Sequence, residues 1–72
     1  MIKTGVLYFD DKEKPVAEKV EHAALRFYQR TGQTATVCHI NEADKNGIDH
    51  VGKIQLVVDQ YCRPNNYHAG IE

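Results

Sequence analysis

The sequence predicts a two-layer α+β fold, within the broad α/β class, in which one amphipathic helix packs on a small mixed sheet. Three observations favour it. Apolar residues recur at helical spacing between residues 15 and 32, strand-like segments lie on both sides, and no rival helix of similar strength is present. The predicted order is β-α-β-β, with a further short strand at the end. Because the chain has 72 residues, we expect one domain spanning residues 1–72.

The first predicted strand covers residues 2–9, with the sequence IKTGVLYF. From residue 6 onward, both alternating sets of side chains are apolar, so both faces of the strand favour burial. The pattern indicates an interior strand that is covered on both faces, or a strand that is covered on one face and paired with a partner on the other.

The predicted helix covers Pro15 to Gly32. Its apolar stripe consists of Val16, Val20, Ala23 and Phe27. Its far side carries Glu18, Lys19, Glu21, Arg26, Gln29 and Arg30. Pro15 suits the first turn, where its missing N–H would have had no partner, and Gly32 suits the left-handed position that ends many helices. Leu25 falls off the stripe and either widens the buried face or contacts something outside the core.

The segments after the helix complete the sheet. Residues 34–40 (TATVCHI) are rich in β-branched residues, so strand, helix and strand form a β-α-β unit with parallel strands and a right-handed crossover. Residues 41–53 contain the turn signal Asn46-Gly47 and predict a short helical turn near residues 42–45 or a hairpin tip. Residues 54–59 form a third strand, and residues 67–72 form a short edge strand.

One helix can cover only one face of this sheet, and no second helix is predicted for the other face. The side chains expected near the uncovered face are Tyr8 or Phe9, Val57 and Tyr67. Such a partly apolar face is where we expect a dimer contact or a bound partner.

Composition excludes several classes of protein. Nine basic and ten acidic residues give a net charge of −1, which lacks the electrostatic footprint of a dedicated nucleic-acid binder. No apolar run approaches the roughly 18 residues that span a bilayer, and the N-terminus turns acidic too early for a signal peptide. We therefore expect a cytoplasmic protein without membrane contact, in which Cys38 and Cys62 are thiols.

No motif for catalysis or for a cofactor is recognisable. The chain has no nucleophile elbow, phosphate-binding glycine loop or dinucleotide fingerprint, so we expect neither catalytic residues nor a cofactor. Cys38, Cys62 and His68 are weak candidates for metal ligands from neighbouring strands, although their spacing matches no zinc motif. Cys38 and His39 are adjacent on one strand and should point to opposite faces, which argues against a cysteine–histidine pair.

The segment before the last strand has the most unusual local composition. It contains Tyr61, Arg63, Asn65, Asn66, Tyr67 and His68. Aromatic rings, a guanidinium group and amides suit a recognition surface. The alternative is a rigid turn in which the amides satisfy backbone groups and the tyrosines complete the core.

Three hypotheses for function follow. The first is a non-enzymatic interaction module that self-associates, for example as a homodimer, or docks a protein partner through the uncovered face and the turn at residues 63–68. The second is a nucleic-acid accessory protein that uses Arg26, Arg30, Lys53 and Arg63 for phosphates and Tyr61 or Tyr67 for stacking. The third is a small metal-binding protein or cysteine-dependent enzyme.

Overall fold

The computed structural model describes residues 3–72 and has one main helix packed on a five-stranded mixed sheet, which confirms the predicted fold class. The elements are β1 (Thr4–Phe9), α1 (Val16–Thr31), β2 (Val37–Ile40), α2 (Glu42–Lys45), β3 (His50–Val51), β4 (Ile54–Val58) and β5 (Asn66–Ile71). Residue 2, the predicted start of the first strand, lies outside the described residues. No helix in the described part of the chain has the length and apolar character needed to cross a membrane.

The order of strands across the sheet is β1-β5-β2-β4-β3, which corrects two predictions. The first strand is an edge strand, which overturns the interior position but not the alternative of a strand covered on one face. The last strand lies between β1 and β2, not at an edge. β5 runs antiparallel to both neighbours, so β1 and β2 point the same way, as predicted, but do not touch. β2 and β4 are directly paired and parallel. A helix is about 10 Å wide and spans two strand spacings of about 4.8 Å, which leaves room for β5 beneath the crossover.

Helix α1 begins and ends close to the predicted residues. Pro15 directly precedes it, and its carbonyl accepts the amides of Glu18 and Lys19. Gly32 adopts the left-handed conformation with φ of 73°, and its amide donates to the carbonyl of Tyr28 at 2.8 Å. Lys19 was expected on the solvent side but is buried. Its ammonium group lies 5.9 Å from the centre of the Tyr67 ring, a cation–π contact that offsets part of the cost of burying the charge.

Residues 41–53 form both of the structures offered as alternatives, a short helix and a hairpin. The side chain of Asn41 accepts the amide of Ala43 at 2.8 Å and so caps α2. The β3–β4 hairpin turns at Gly52, whose φ of 59° suits a glycine. Ile48 and Val51 pack into the same core as α1, so this segment extends the layer on the helix side of the sheet.

The core lies between α1 and one face of the sheet. Val20, Ala23 and Phe27 of α1 meet Cys38 and Ile40 of β2. The other sheet residues in this core include Leu56, Tyr67 and Ala69, with Val6 and Tyr8 packed against them. Tyr8 and Tyr67 therefore lie on the helix side, although both were considered for the uncovered face, whereas alternation places Phe9 and Val57 on the face opposite α1.

Burial predicts a contrast between two valines. Replacing Val20, which has no exposed surface, by Ala should lower the free energy of unfolding by about 2 kcal/mol, because two methyl groups leave a packed core. The matched control is Val58→Ala, at a residue that is 43% exposed, where we expect a loss below about 1 kcal/mol. Urea titrations of the two variants measure the difference, and equal losses would contradict this assignment of the core.

Candidate interaction surface

The sheet face opposite α1, here called the open face, presents a row of side chains from four strands. The strand register aligns Leu7 of β1 with His68 of β5, His68 with His39 of β2, and His39 with Val57 of β4. Residues 41–53 pack on the other side of the sheet and do not cover this row. Among the described residues, no helix or strand packs over the open face.

Three large apolar side chains are exposed at the β1 end of this face. Leu7 is 65% exposed, Phe9 is 61% exposed and Tyr61 is 86% exposed. A groove of about 210 Å³, here called the Tyr61 groove, is lined by Leu7, Tyr61, Cys62, Arg63 and Asn66. The open face therefore joins an apolar patch to a shallow concavity that has a polar rim.

The loop that carries Tyr61 is held by hydrogen bonds on both sides. The carboxylate of Asp59 accepts the amide of Tyr61 at 2.9 Å, and the carbonyl of Asp59 accepts the amide of Cys62 at 3.0 Å. The side-chain amide of Asn41 donates to the carbonyl of Cys62 at 2.8 Å. Tyr61 is therefore an exposed ring on an ordered turn.

Asn65 and Asn66 organise the turn that precedes β5. Asn65 adopts the left-handed conformation with φ of 67°, and its amide donates to the Asp44 carboxylate at 2.8 Å. The side-chain amide of Asn66 donates to the carbonyl of Pro64 at 3.1 Å. Asn66 thus uses its side-chain amide on the backbone of the turn and also lines the Tyr61 groove, whereas Asn65 contributes its left-handed conformation and its main-chain amide.

The remaining residues of the predicted recognition segment lie on opposite sides of the sheet. Tyr67 has no exposed surface, and burial raises the pKa of its hydroxyl above the ordinary value. His68 lies on the open face, with its ring 6.2 Å from that of His39. Burial, followed by the neighbouring His39, lowers the pKa of His68. Of this segment, Tyr61, Arg63, Asn66 and His68 remain available for contact from the open side.

A histidine–aspartate pair lies at the centre of the open face. His39 Nδ1 is 3.0 Å from Asp59 Oδ2, and because an ionised carboxylate only accepts, Nδ1 is the donor. This hydrogen bond is the main reason that the pKa of Asp59 lies below its ordinary value, and the Tyr61 amide adds to the effect. The second ring nitrogen, Nε2, lies 3.6 Å from Glu72 Oε1, beyond hydrogen-bond distance.

The His39–Asp59 pair was not predicted from the sequence, although a signal for it was present. His39 lies in β2, and Asp59 directly follows β4, the parallel neighbour of β2. The carboxyl ends of parallel strands meet at one edge of a sheet, so an acidic residue just after one strand can reach a side chain near the end of the next. A prediction that β2 pairs with β4 would have placed His39 and Asp59 close together.

The two cysteines have the chemistry of buried structural residues. Cys38 points into the core, on the face opposite His39 as alternation along β2 predicted, and burial raises the pKa of its thiol to about 12. Burial also raises the pKa of Cys62, whose sulfur contacts the main-chain oxygens of His39 at 3.5 Å and Asn66 at 3.2 Å. A raised pKa leaves little thiolate at neutral pH, and the thiolate is the reactive form.

The weak metal candidates do not come together in one site. Cys38 lies on the helix side of the sheet, whereas His68 lies on the open face. Within residues 3–72, no group of three or more His, Cys, Asp or Glu side chains is arranged to hold a metal ion.

The burial of the cysteines predicts slow alkylation of the folded protein. At mildly alkaline pH, iodoacetamide should modify Cys38 only in chains that unfold, because the side chain is enclosed and its thiolate is disfavoured. Mass spectrometry with and without urea measures the difference, and the urea sample is the control for reagent activity. Rapid modification of either cysteine in the folded protein would contradict this account and would favour a reactive thiol.

Comparisons with known proteins do not assign this surface. The chain matched no protein-family model, no curated protein and no solved structure. The open face and the Tyr61 groove are therefore interpreted from their own geometry.

Proposed function

We propose that this chain is a non-enzymatic interaction module that binds protein segments through the open face and the Tyr61 groove. The observation that carries the proposal is the grouping of Leu7, Phe9 and Tyr61, each more than half exposed, at one end of a face that no described element covers. Exposed apolar groups that adjoin a polar rim are typical of protein-binding surfaces.

The chemistry of the Tyr61 groove supports a protein ligand. Aromatic residues and arginine contribute a large share of binding energy at protein interfaces, and Tyr61 lies two residues from Arg63 in the groove lining. The hydrogen bonds from Asp59 and Asn41 fix the turn before a ligand arrives. A fixed turn lowers the entropy cost of binding, so its few side chains bind more tightly than those of a mobile loop.

The polar groups at the centre of the open face set the orientation of a bound segment. His68 presents its ring between Leu7 and His39; in the His39–Asp59 pair, Nδ1 of His39 already bonds Asp59, and Nε2 is buried. A ligand that covers this row has to satisfy the ring nitrogens of His68, because a buried polar group without a partner is costly. The open face therefore selects segments with polar groups at its centre and apolar groups toward β1.

A library of random peptides displayed on phage tests the proposal, because it samples many short protein segments at once. Peptides enriched on the wild-type protein should bind the Tyr61→Ser variant about tenfold or more weakly, which corresponds to about 1.4 kcal/mol. The matched control is Tyr28→Ser, the same change at a tyrosine on α1 that is 55% exposed, and it should leave binding unchanged.

Two results would contradict the proposal. One is a set of enriched peptides that bind wild type and Tyr61→Ser equally well. The other is the absence of any enriched peptide, together with salt-dependent binding of single-stranded or duplex oligonucleotides, which would favour the nucleic-acid hypothesis.

A further inference from the structure

The two edges of the sheet differ in how they are protected from other strands. β3, at one edge, has two residues, and a short edge strand offers little for another chain to pair with. β1, at the other edge, has six residues, TGVLYF, with no charge and no proline. Proteins usually blunt a long edge strand with a charge, a proline or a cover, so an unprotected β1 indicates an edge that is used.

The register fixes which backbone groups of β1 face outward. The amide of Asp10 donates to the carbonyl of Asn65 at 2.9 Å, and the same register pairs Val6 with Ala69 and Tyr8 with Tyr67. Hydrogen-bonded and non-hydrogen-bonded pairs alternate in an antiparallel ladder. Even-numbered residues of β1 therefore bond to β5, while Gly5, Leu7 and Phe9 direct their amides and carbonyls to the free edge.

The outward groups fit a second copy of the same strand. When two β1 strands run antiparallel about a two-fold axis with Leu7 opposite its own counterpart, Gly5 of each copy lies opposite Phe9 of the other. All three outward residues then form hydrogen-bonded pairs, each of which exchanges two bonds. The Phe9 ring lies over the position where Gly5 has no side chain, an arrangement that stabilises glycine in strands.

Charge complementarity favours the same antiparallel pairing. Pairing Leu7 with its counterpart brings Lys3 of each copy, which lies just before β1 and donates its amide to the carbonyl of Ile71, toward Asp11 of the other copy, which lies just after β1. Both residues are exposed, and no ion pair connects either one to another described residue. Asp10, by contrast, is buried and already interacts with Lys14 and the amide of Lys12.

The helix side of this edge is also suited to a symmetric contact. Leu25 is 54% exposed and, with Tyr8, His22, Arg26 and Gln29, lines a groove of about 160 Å³ between α1 and β1. A two-fold axis between the two β1 strands makes the two α1 helices antiparallel. The half of one helix that carries Glu18 and Glu21 then runs alongside the half of the other that carries Arg26 and Arg30.

We propose that this chain forms a two-fold symmetric dimer in which the β1 strands of two copies pair antiparallel and join two five-stranded sheets into one. The inference rests on the proposed function and names a second copy of the chain as one of its partners. Leu7 and Phe9 pack across the axis on the open face, and the Tyr61 groove remains beside the new interface.

Sedimentation velocity from micromolar to near-millimolar concentration tests the dimer. Wild type should rise from the mass of one chain, 8.2 kDa, to that of two. Gly5→Pro removes one outward amide while keeping Leu7, Phe9 and every bond to β5, and it should remain monomeric. Leu7→Lys should also remain monomeric and provides a second test if the proline variant does not fold. The matched control is Gln55→Lys, at an exposed residue of β4, which should dimerise like wild type.

A charge exchange tests the register. Lys3→Glu and Asp11→Lys should each raise the dissociation constant of the dimer several-fold, because each brings like charges close together at the two ends of the paired β1 strands. The double variant with both changes should restore the wild-type value.

The outcomes separate this inference from the proposed function. A wild-type protein that stays monomeric throughout the range, or a dimer that persists in folded Gly5→Pro and Leu7→Lys, overturns the inference even when peptides bind the Tyr61 groove. A dimer that forms as described while peptides ignore the Tyr61→Ser change supports the inference and overturns the proposed peptide site alone.

Discussion

The structure depends on the packing of one amphipathic helix against one face of a sheet that is wider than the helix. Five strands at about 4.8 Å spacing span about 24 Å, whereas a helix covers about 10 Å. Helix α1 lies mainly over β5 and the edge strand β1, where Val20, Ala23 and Phe27 enter the core. Ile48 and Val51, supplied by the segment between β2 and β4, extend the cover on the same side. The opposite face receives no comparable layer from the described residues.

This one-sided cover explains why the exposed apolar groups lie where they do. Along β1, Val6 and Tyr8 pack toward the helix, while Leu7 and Phe9 alternate to the open face. The same strand is also the edge of the sheet, so its unpaired backbone and its exposed side chains occur together. Both alternating sets of side chains in β1 are therefore apolar for different reasons. One set is buried against the helix, and the other is exposed on the open face, where it is available for contact.

Local sequence signals predicted the local structure well. Pro15 and Gly32 marked the limits of α1 to within a residue, and the alternation around Cys38 and His39 correctly placed them on opposite faces. Asn41 and Gly52 show why residues 41–53 contain both a helix and a hairpin, since one supplies a cap and the other a turn.

Long-range pairing was the part that local signals could not supply. The residue pattern of β5 does not predict its position between β1 and β2. That position depends on the space that the crossover helix leaves between these two strands. The central position of β5 explains the burial of Tyr67. The cation–π contact with the Tyr67 ring in turn explains why Lys19 is buried on the sheet side of α1. The His39–Asp59 pair depends likewise on the parallel pairing of β2 with β4.

The outer edge of β1 is free in a single copy of the chain, and in the proposed dimer it is occupied by a second copy. Amide hydrogen exchange, followed residue by residue by NMR at low and high protein concentration, distinguishes the two states. At low concentration, Val6 and Tyr8 should exchange slowly and Gly5, Leu7 and Phe9 quickly. At high concentration, these three outward amides should become protected as well. Outward amides that are protected at low concentration, or that exchange quickly at every concentration, would show that β1 does not pair with a second copy in this way.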